Sequence, residues 1–429
     1  MNLRRNSSSP YPLPAPRTSR ATQWVLALNE DHPLAVIALG TVVGAIMAVL
    51  VYTQSLREFY LDFRVYFLGA QNLFNPHLYE LKSNFDLHFP FTYPPVAAIF
   101  FWPLTLLSFH GAAFVWTTVT IAALAFIVRM SLRMARPDIS ERGLHTATFL
   151  MTGLVVALEP IWQNFHFGQV NIVLGAMTLL DVMDRPHRRL PRGILLALAT
   201  SIKLIPGIFI LYLFLRRDYR AAITAGATVV FLNVLAFALN HEATFNYWTK
   251  YAFNPERMGG VLYNSNQSIR GSIQRLAHHA ISPSVCTGLS VLVLIVGLVI
   301  AVCIAARRSQ LAAIVTVGIT GDLVSPISWS HHLIWFIPLL AWLTLAHDRP
   351  RGGPLFAGAI VVGSVTVGGS TNSVIWIPPH VGSTTLHWTA FQSVVGNFDF
   401  FVMLLTLAIM ASGMRSARAW THATSQTSN

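Results

Sequence analysis

Long apolar runs recur along the whole chain, and they constrain the fold more than any other feature of the sequence. The first runs from Leu34 to Tyr52, and comparable runs lie near 111–133, 220–239 and 285–305. A run of roughly 20 apolar residues is long enough to cross the core of a bilayer as a helix. Only 11% of the residues are charged, whereas a soluble globular protein has about 25%. The sequence therefore predicts an all-α polytopic membrane protein with about twelve transmembrane helices.

The basic residues are concentrated in the short connectors between these apolar runs. The net charge is +12, and a basic excess is also typical of proteins that bind nucleic acid. Most of the arginines, however, lie in clusters such as 129–142, 185–192 and 216–220, between one apolar run and the next. Such clusters are typical of the cytoplasmic face of a membrane protein. The charge therefore predicts the orientation of the chain in its membrane, and it predicts no nucleic-acid partner.

The same distribution divides the chain into one membrane domain and two tails. Residues 1–32 are rich in Ser, Pro and Arg. They have no apolar core of the kind that a signal peptide contains, so we expect a disordered cytoplasmic tail. Residues 33–413 form the membrane domain, and 414–429 form a second cytoplasmic tail. The long outer loops are 54–93, 240–284 and 371–395.

The outer loop 54–93 contains a candidate catalytic residue, Asp62. It follows the first apolar run closely, and a carboxylate at the edge of a membrane is costly to desolvate unless it has a partner or a task. One interpretation is a general base that takes a proton from a substrate hydroxyl. The other is an interfacial acid that is solvated or paired with Arg57 or Arg64. Paired structural carboxylates outnumber catalytic ones, so local sequence alone favours the second interpretation.

The remainder of this loop and the segment that follows it are each predicted to form one short structure. Residues 63–74 have the pattern of an amphipathic helix that lies on the membrane and ends at Asn75, because proline disfavours helix in the residue before it. Residues 94–109 are apolar but short. We expect them to be interfacial or re-entrant, because a full span there would place the arginines of 129–142 outside the cell, against the charge bias.

The other candidate functional residues also fall on the outer side. Residues 191–202 and 204–215 are short apolar pieces, which we interpret as a helical pair with Lys203 at its outer corner. An apolar bundle with one polar face suits a lipid-linked substrate, whose tail stays in the bilayer while its head group meets the loops. The polar residues predicted on this face are Asp62, Arg64, Tyr93, His166, Lys203, Asn266, Gln267, Arg270, Arg275, His331 and His332.

Three cations on this face are candidates for binding a phosphate. Lys203, Arg270 and Arg275 can each stabilise a phosphate leaving group as negative charge develops on it. The alternatives are that Lys203 extends its ammonium to water from an apolar surface, and that the two arginines belong to a solvated loop.

Adjacent histidines, His331 and His332, follow in a later outer connector. Neighbouring residues on a helix point about 100° apart, so we do not expect both to bind one ligand. They have no carboxylate in helical register, which argues against a metal site. His166 is interpreted as a structural hydrogen-bonding residue.

Several motifs occur together in an order that resembles a known family. They are Leu61-Asp62-Phe63, Thr92-Tyr93-Pro94-Pro95, Ser201-Ile202-Lys203-Leu204-Ile205-Pro206, Asn266-Gln267-Ser268 with Arg275, and Ser325-Pro326-Ile327-Ser328-Trp329-Ser330-His331-His332. Each motif alone is weak. In this order they resemble the actinobacterial glycosyltransferase family 87, which has the GT-C architecture.

The resemblance implies a multi-pass plasma-membrane transferase that inverts the anomeric configuration and has its active site on the extracytoplasmic side. The implied donor is polyprenyl-phospho-mannose, and the implied acceptor is the 2-hydroxyl of a terminal mannose on a phosphatidylinositol mannoside. The acid at the start of the first outer loop is the general base in this architecture, and Asp62 matches that position. Phe63 and Arg64 follow it, so the Asp-X-Asp metal motif of some relatives is missing. We therefore expect no metal and no other cofactor.

The predicted site then has a donor half and an acceptor half. The residues expected to bind the donor phosphate and sugar are Lys203, His331, His332, Arg64, Arg270 and Arg275. Those expected near the acceptor are Asn266, Gln267, Tyr93 and His166.

Other functions compatible with the sequence differ in substrate or in class. Lipomannan branching and arabinofuranosyl transfer keep the fold and change the substrates, and the sequence does not separate them. A transporter or flippase for lipid-linked sugars is a rival of another class. It would be expected to have matched halves with broken helices and a polar path at the midplane, and neither is evident here. A non-catalytic scaffold does not account for outer loops so rich in polar residues.

Overall fold

The computed structural model describes residues 33–55, 60–82, 89–184, 189–254, 257, 259–307, 309–366 and 388–426. Across these ranges the protein is helical and contains no strand, only two isolated β-bridges. The all-α prediction is thus confirmed for the described residues. The predicted tail 1–32, Arg57 and most of the predicted outer loop 371–395 lie outside them.

Helices α1 to α9 occupy the first half of the chain. They are α1 Pro33–Ser55, α2 Leu61–Gln71, α3 Pro95–Phe101, α4 Phe109–Ala135, α5 Glu141–Val155, α6 Glu159–Phe167, α7 Asn171–Val182, α8 Ile194–Ile202 and α9 Ile208–Leu215. Short 3₁₀ turns at Trp102–Leu106 and Ile205–Gly207 extend α3 and precede α9.

Helices α10 to α18 complete the chain. They are α10 Tyr219–Leu239, α11 His241–Asn246, α12 Ile269–Ala277, α13 Pro283–Ala306, α14 Gln310–Val324, α15 Phe336–Leu345, α16 Gly353–Thr366, α17 Ala390–Val395 and α18 Phe398–Gln426. A π-helical turn, Tyr247–Tyr251, follows α11, and a 3₁₀ turn, Ser330–His332, precedes α15. The backbone of α18 remains helical beyond residue 413, where the sequence predicted the end of the membrane domain.

Side-chain caps define where several of these helices begin. Ser108, Ser140, Ser268 and Ser282 each accept a hydrogen bond from the backbone N–H three residues later, at 3.1 to 3.4 Å. Such a cap satisfies one of the four N–H groups that a helix N-terminus leaves unpaired. The polar residue directly before each apolar run therefore fixes the start of the helix.

In the part of the chain that the structure describes, three helices are long and apolar enough to cross a membrane, namely α4, α10 and α13. Helices α5 and α6 form a further span if taken together, bent by 75° at their junction. Shorter apolar helices of 10 to 17 residues account for most of the other expected spans. The total of about twelve spans and the GT-C architecture remain predictions.

The surface of the long helices has the character of a lipid-facing surface. On α10, Ile223, Val230, Phe231 and Val234 are each more than 60% exposed. A contiguous exposed apolar surface of this kind is unfavourable in water and marks a contact with a membrane or a partner. Helix α14 is the opposite case, because its side chains from Leu311 to Leu323 are buried on every face. It forms the centre of the bundle.

Ion pairs show that α8 and α9 form a hairpin. Arg192 Nη1 lies 3.0 Å from Asp184 Oδ1 and 2.8 Å from Asp218 Oδ2, so the start of α8 and the end of α9 meet. Lys203 follows α8 in an extended conformation and therefore occupies the opposite corner of the hairpin. The predicted helical pair with Lys203 at its corner is confirmed.

The amphipathic helix expected after the first span is also present, as α2. Its apolar face, which includes Phe63, Tyr66 and Ala70, is completely buried. This face packs against α3 and α6 rather than on lipid. Asp62 lies in the first turn of the helix instead of preceding it, so its position is fixed by the packing of the aromatic residues beside it.

The segment 94–109 is short, as expected. Helix α3 with its 3₁₀ extension spans residues 95–106, which is shorter than the roughly 17 residues that the bilayer core requires of a helix. Pro95 stands in the first turn, where its missing N–H costs no hydrogen bond.

Candidate active site

A cavity of about 550 Å³ opens between the connectors that the sequence predicts on the outer side. Its volume lies within the roughly 300–1,000 Å³ that is common for small-molecule sites. It is lined by parts of the segments 61–65, 89–94, 167–169, 203–205, 247–265 and 325–332. Most of the motifs identified in the sequence therefore meet at a single cavity, although they are far apart in the chain.

Asp62 lines this cavity from the first turn of α2. Burial raises the pKa of its carboxyl from 3.8 to about 6, while the positive charge of Lys203 and a hydrogen bond from Gln169 limit the rise. A carboxylate with a pKa near 6 is ionised at neutral pH, yet it is a stronger base than an ordinary aspartate. These are the properties that general-base catalysis requires.

Lys203 lines the same cavity and is held by two neighbours. Its Nζ donates to Asn171 Oδ1 at 2.8 Å and lies 3.0 Å from His332 Nε2. Burial lowers the pKa of Lys203 to about 8, and the carboxylates of Asp62 and Asp322 oppose that fall. An ammonium has three N–H donors, so one donor remains for a ligand.

Both histidines of the 325–332 connector line the cavity. They lie in the 3₁₀ turn Ser330–His332 and not in α15, and the expectation that only one of them binds a ligand stays a prediction. Their ring centroids are 5.1 Å apart. Burial and the nearby Lys203 hold the pKa of both imidazoles well below 6.5. They are therefore neutral, and His332 Nε2 accepts a hydrogen bond from the ammonium.

Gln169 and Asn171 are site residues that sequence analysis did not single out. Gln169 Oε1 accepts a hydrogen bond from the Tyr66 hydroxyl at 2.8 Å, which orients its amide toward Asp62. Asn171 joins Lys203 to the His331 carbonyl, to which its Nδ2 donates at 3.0 Å. The sequence signal that could have identified them is a pair of amide side chains between Gly168 and an apolar run.

Gly168 allows this segment to pass close to α2. It has φ of 68°, and a Cβ there would lie 2.7 Å from atoms of Tyr60 and Phe63. Only glycine adopts this left-handed conformation without cost and leaves room for the two aromatic rings. Its carbonyl accepts a hydrogen bond from Trp116 Nε1 at 3.0 Å, which fixes α4 against the same segment.

Two buried carboxylates, Asp322 and Glu159, lie next to residues that line the cavity. Asp322 shares a second, small cavity of about 30 Å³ with Lys203 and His332. Its charge acts on Lys203, and it is not among the residues that line the large cavity. Glu159 Oε1 accepts a hydrogen bond from Ser330 Oγ at 2.9 Å and so supports the histidine turn. Sequence analysis missed both roles, because each acid lies next to or within an apolar run and acts only through a distant segment.

Arg275, Asn266 and Gln267 form the structural support of the outer loop 240–284. The Arg275 guanidinium is fully buried and donates to the Tyr263 carbonyl, the Asn266 carbonyl and Asn397 Oδ1 at 2.7 to 3.1 Å. The Gln267 amide donates to the carbonyls of Asn264 and Gly396 at 2.7 and 2.9 Å. None of the three lines the cavity, so the structure does not place them in contact with a substrate.

Arg64, Arg270 and His166 also lie outside the cavity lining. The Arg64 guanidinium stacks on Phe109, with its Cζ 4.2 Å from the ring centroid. The His166 ring contacts Phe167. Tyr93, by contrast, lines the cavity, and the centroid of its ring is 5.6 Å from Lys203 Nζ.

We expect Arg275 to be required for stability and not for donor binding. Arg275→Met leaves buried carbonyl and amide oxygens without a charged donor, so the free energy of unfolding should fall by more than about 2 kcal/mol. Arg270→Met on the same helix is the matched control, and its stability should remain near that of the wild type. Thermal melting of the purified proteins measures the difference. Wild-type melting of Arg275→Met, combined with a raised KM for the donor, would instead restore the predicted phosphate contact.

Fold and cavity together are those of an apolar helical bundle with a cavity that polar side chains line. The sequence matches "Glycosyltransferase family 87" over residues 91–326, more than half of the chain. The chain belongs to glycosyltransferase family 87, as the motifs suggested, and the protein is a glycosyltransferase. No solved structure matches it.

The curated relatives come from mycobacteria. The chain is 31% identical to a polyprenol-phosphate-mannose-dependent alpha-(1-2)-phosphatidylinositol mannoside mannosyltransferase of Mycolicibacterium smegmatis, over 78% of this chain and 79% of that protein. It is 31% identical to the protein of the same name in Mycobacterium tuberculosis, over 76% and 79% of the two chains. A polyprenol-phosphate-mannose-dependent alpha-(1-2)-phosphatidylinositol pentamannoside mannosyltransferase of M. smegmatis is 36% identical, over 71% and 73%.

Proposed function

We propose that the protein transfers mannose from polyprenyl-phospho-mannose to the 2-hydroxyl of a terminal mannose on a phosphatidylinositol mannoside, with inversion. The observation that carries the proposal is that Asp62 and Lys203 line one cavity at the end of an apolar bundle. The names of the mycobacterial relatives support the choice of donor and acceptor.

Asp62 is the general base in this proposal. It takes the proton of the acceptor 2-hydroxyl as the oxygen forms a bond to the anomeric carbon of the donor. The bond between that carbon and the phosphate oxygen breaks, and its electron pair stays on the phosphate. Attack from the face opposite to the phosphate inverts the configuration.

Lys203 stabilises the departing phosphate in the same proposal. Its charge is kept by Asp62 and Asp322, and its position is fixed by Asn171 and His332. A fixed cation needs little reorganisation when charge develops on the leaving group, which is the basis of electrostatic catalysis. No metal or other cofactor takes part in this proposal.

A transfer assay tests the proposed function. Purified protein is incubated with radiolabelled polyprenyl-phospho-mannose and phosphatidylinositol mannosides of different lengths, followed by linkage analysis of the products. We expect label in an α-1,2-linked mannose. Transfer only to lipomannan, or only from a polyprenyl-phospho-arabinose donor, would replace the proposal with another reaction of the same chemistry. Movement of an unaltered lipid-linked sugar across a vesicle membrane, without transfer, would indicate a flippase.

We expect the site to face the extracytoplasmic side of the plasma membrane. A reporter fused after Arg217 should therefore read cytoplasmic, and one inserted in the loop 240–284 should read extracytoplasmic. The reason is the concentration of arginines in the opposite connectors. The reverse result for both fusions would overturn the orientation, and with it the expected access to substrates outside the cell.

A further inference from the structure

Arg257 is a second cation in the cavity, and none of the motifs identified in the sequence includes it. Within the described ranges, Lys203 and Arg257 are the lysine and arginine residues that line the cavity. Arg270 and Arg275, the arginines that the sequence suggested as further phosphate ligands, do not reach it. The question is therefore which group of a substrate Arg257 contacts.

The Arg257 side chain is held in place without being neutralised. Its Cζ lies 4.2 Å from the centroid of the Tyr251 ring, and one Nη donates to the Tyr79 carbonyl. Its Nε is buried and has no hydrogen-bond partner among the described residues. The charge of Glu80 acts on Arg257, but that carboxylate forms its ion pair with His77. A guanidinium has five N–H donors in a rigid plane. Arg257 is therefore preorganised, with donors left for an anionic group.

The part of the cavity around Arg257 adjoins the lipid-facing surface. Trp248 Nε1 donates to Asn233 Oδ1 at 3.0 Å, which fixes the π-helical turn Tyr247–Tyr251 against α10. Helix α10 is largely exposed and apolar. Phe245 and Phe253, on either side of the π-helical turn, are 61% and 82% exposed. A lipid chain that lies along these residues would bring its head group directly to Arg257.

We propose that Arg257, stacked on Tyr251, binds the phosphate of the lipid-linked donor, with the prenyl chain lying along the exposed aromatic residues beside it. This inference rests on the proposed function, because it assumes a prenyl phosphate donor. It gives Arg257 the role of second phosphate ligand that the sequence suggested for Arg270 and Arg275.

The charge balance of the reaction explains why two cations are useful. The donor phosphate is a diester with one negative charge. When the bond to the anomeric carbon breaks, the electron pair stays on the phosphate oxygen, and the product is a monoester. The second pKa of a phosphate monoester is about 6, so the product carries nearly two negative charges at neutral pH. A second cation therefore contributes more in the transition state than in the ground state, as catalysis requires.

Donor kinetics of Arg257 variants test the proposal. In Arg257→Gln we expect kcat/KM for the donor to fall by at least about tenfold, with the KM for the acceptor unchanged. Inhibition by farnesyl phosphate, a short analogue of the leaving group, should weaken in parallel. Lys250→Ala removes an exposed cation from the same π-helical turn and is the matched control, with wild-type kinetics expected.

If Arg257→Gln does not fold, the variant Arg257→Lys tests the same proposal. Lysine retains the charge but loses the planar stack and the forked geometry, so it should retain intermediate activity and raise the KM for the donor. Wild-type donor kinetics and wild-type inhibition in a folded Arg257 variant would overturn the inference. A change in the KM for the acceptor alone would also overturn the inference. If wild-type protein neither transfers mannose nor binds farnesyl phosphate, the proposed function itself fails.

Discussion

Replacement of Asp62 by asparagine should reduce turnover by at least about a hundredfold without unfolding the protein. General-base catalysis contributes roughly 10²- to 10⁴-fold, and asparagine cannot accept the proton. Donor binding should persist, because the phosphate is bound by other residues. Asp62→Glu should also be poor, since an added methylene displaces the carboxylate from its alignment with the acceptor hydroxyl.

The pH profile provides an independent measure of the same residue. Because the pKa of Asp62 is raised to about 6, the base is present above that value and is lost as the pH falls through it. The wild-type rate should therefore decline below about pH 6, whereas an ordinary aspartate would maintain activity to nearly pH 4. The residual activity of Asp62→Asn should lack this acidic limb.

The competing interpretation of Asp62 predicts a different result. An acid that only pairs with an arginine at an exposed interface contributes less than about 1 kcal/mol to stability and nothing to turnover. Turnover in nanodiscs, with thermal melting as the control for folding, separates the two cases. More than about a tenth of wild-type turnover in a well-folded Asp62→Asn protein would exclude the general-base role.

Replacement of Lys203 by alanine should reduce kcat/KM for the donor by roughly a hundredfold, which is typical for loss of one preorganised group that stabilises a developing oxyanion. The KM for the acceptor should change little. Lys203→Arg should restore only part of the activity, because a planar guanidinium does not reproduce the contacts of an ammonium with Asn171 and His332. Steady-state kinetics with each substrate varied in turn provide the measurement.

Lys203→Ala should also move the acidic limb of the pH profile. The charge of Lys203 lowers the pKa of Asp62, so its removal should shift the limb to a pH above about 6. A variant with unchanged donor kinetics would remove Lys203 from the phosphate site. An unshifted limb in a variant with impaired donor kinetics would show that Asp62 and Lys203 are not electrostatically coupled.

Several elements of the site were predictable from sequence because their signals are local. Asp62 follows an apolar run, and Lys203 interrupts two short ones, so the length of the neighbouring runs alone places each at the end of a helix. An amphipathic helix was predicted over residues 63–74, and the structure has it as α2 at Leu61–Gln71. For these residues, hydrophobic periodicity and the cost of burying a charge were sufficient.

The roles of the loop arginines were not predictable in this way. Arg275 and Arg257 both lie in the outer loop 240–284, and nothing in their immediate sequence separates them. Arg275 is enclosed by two carbonyl oxygens of its own loop and by the amide oxygen of Asn397, 122 residues away, whereas Arg257 stacks on a tyrosine at the cavity wall. Burial and long-range hydrogen bonds decide the role of a cation, and both depend on contacts between remote parts of the chain.

The sequence by itself determined the class of protein, and it predicted the two residues central to the proposed chemistry and the side of the membrane that they face. These follow from transfer free energies of apolar runs and of charges, which depend on composition and order along the chain. Only the tertiary structure decided that His331 and His332 share one cavity, that Gln169 and Asn171 orient the base and the cation, and that Arg275 is structural. Those assignments depend on distances between segments more than 30 residues apart, which the packing of the whole bundle sets.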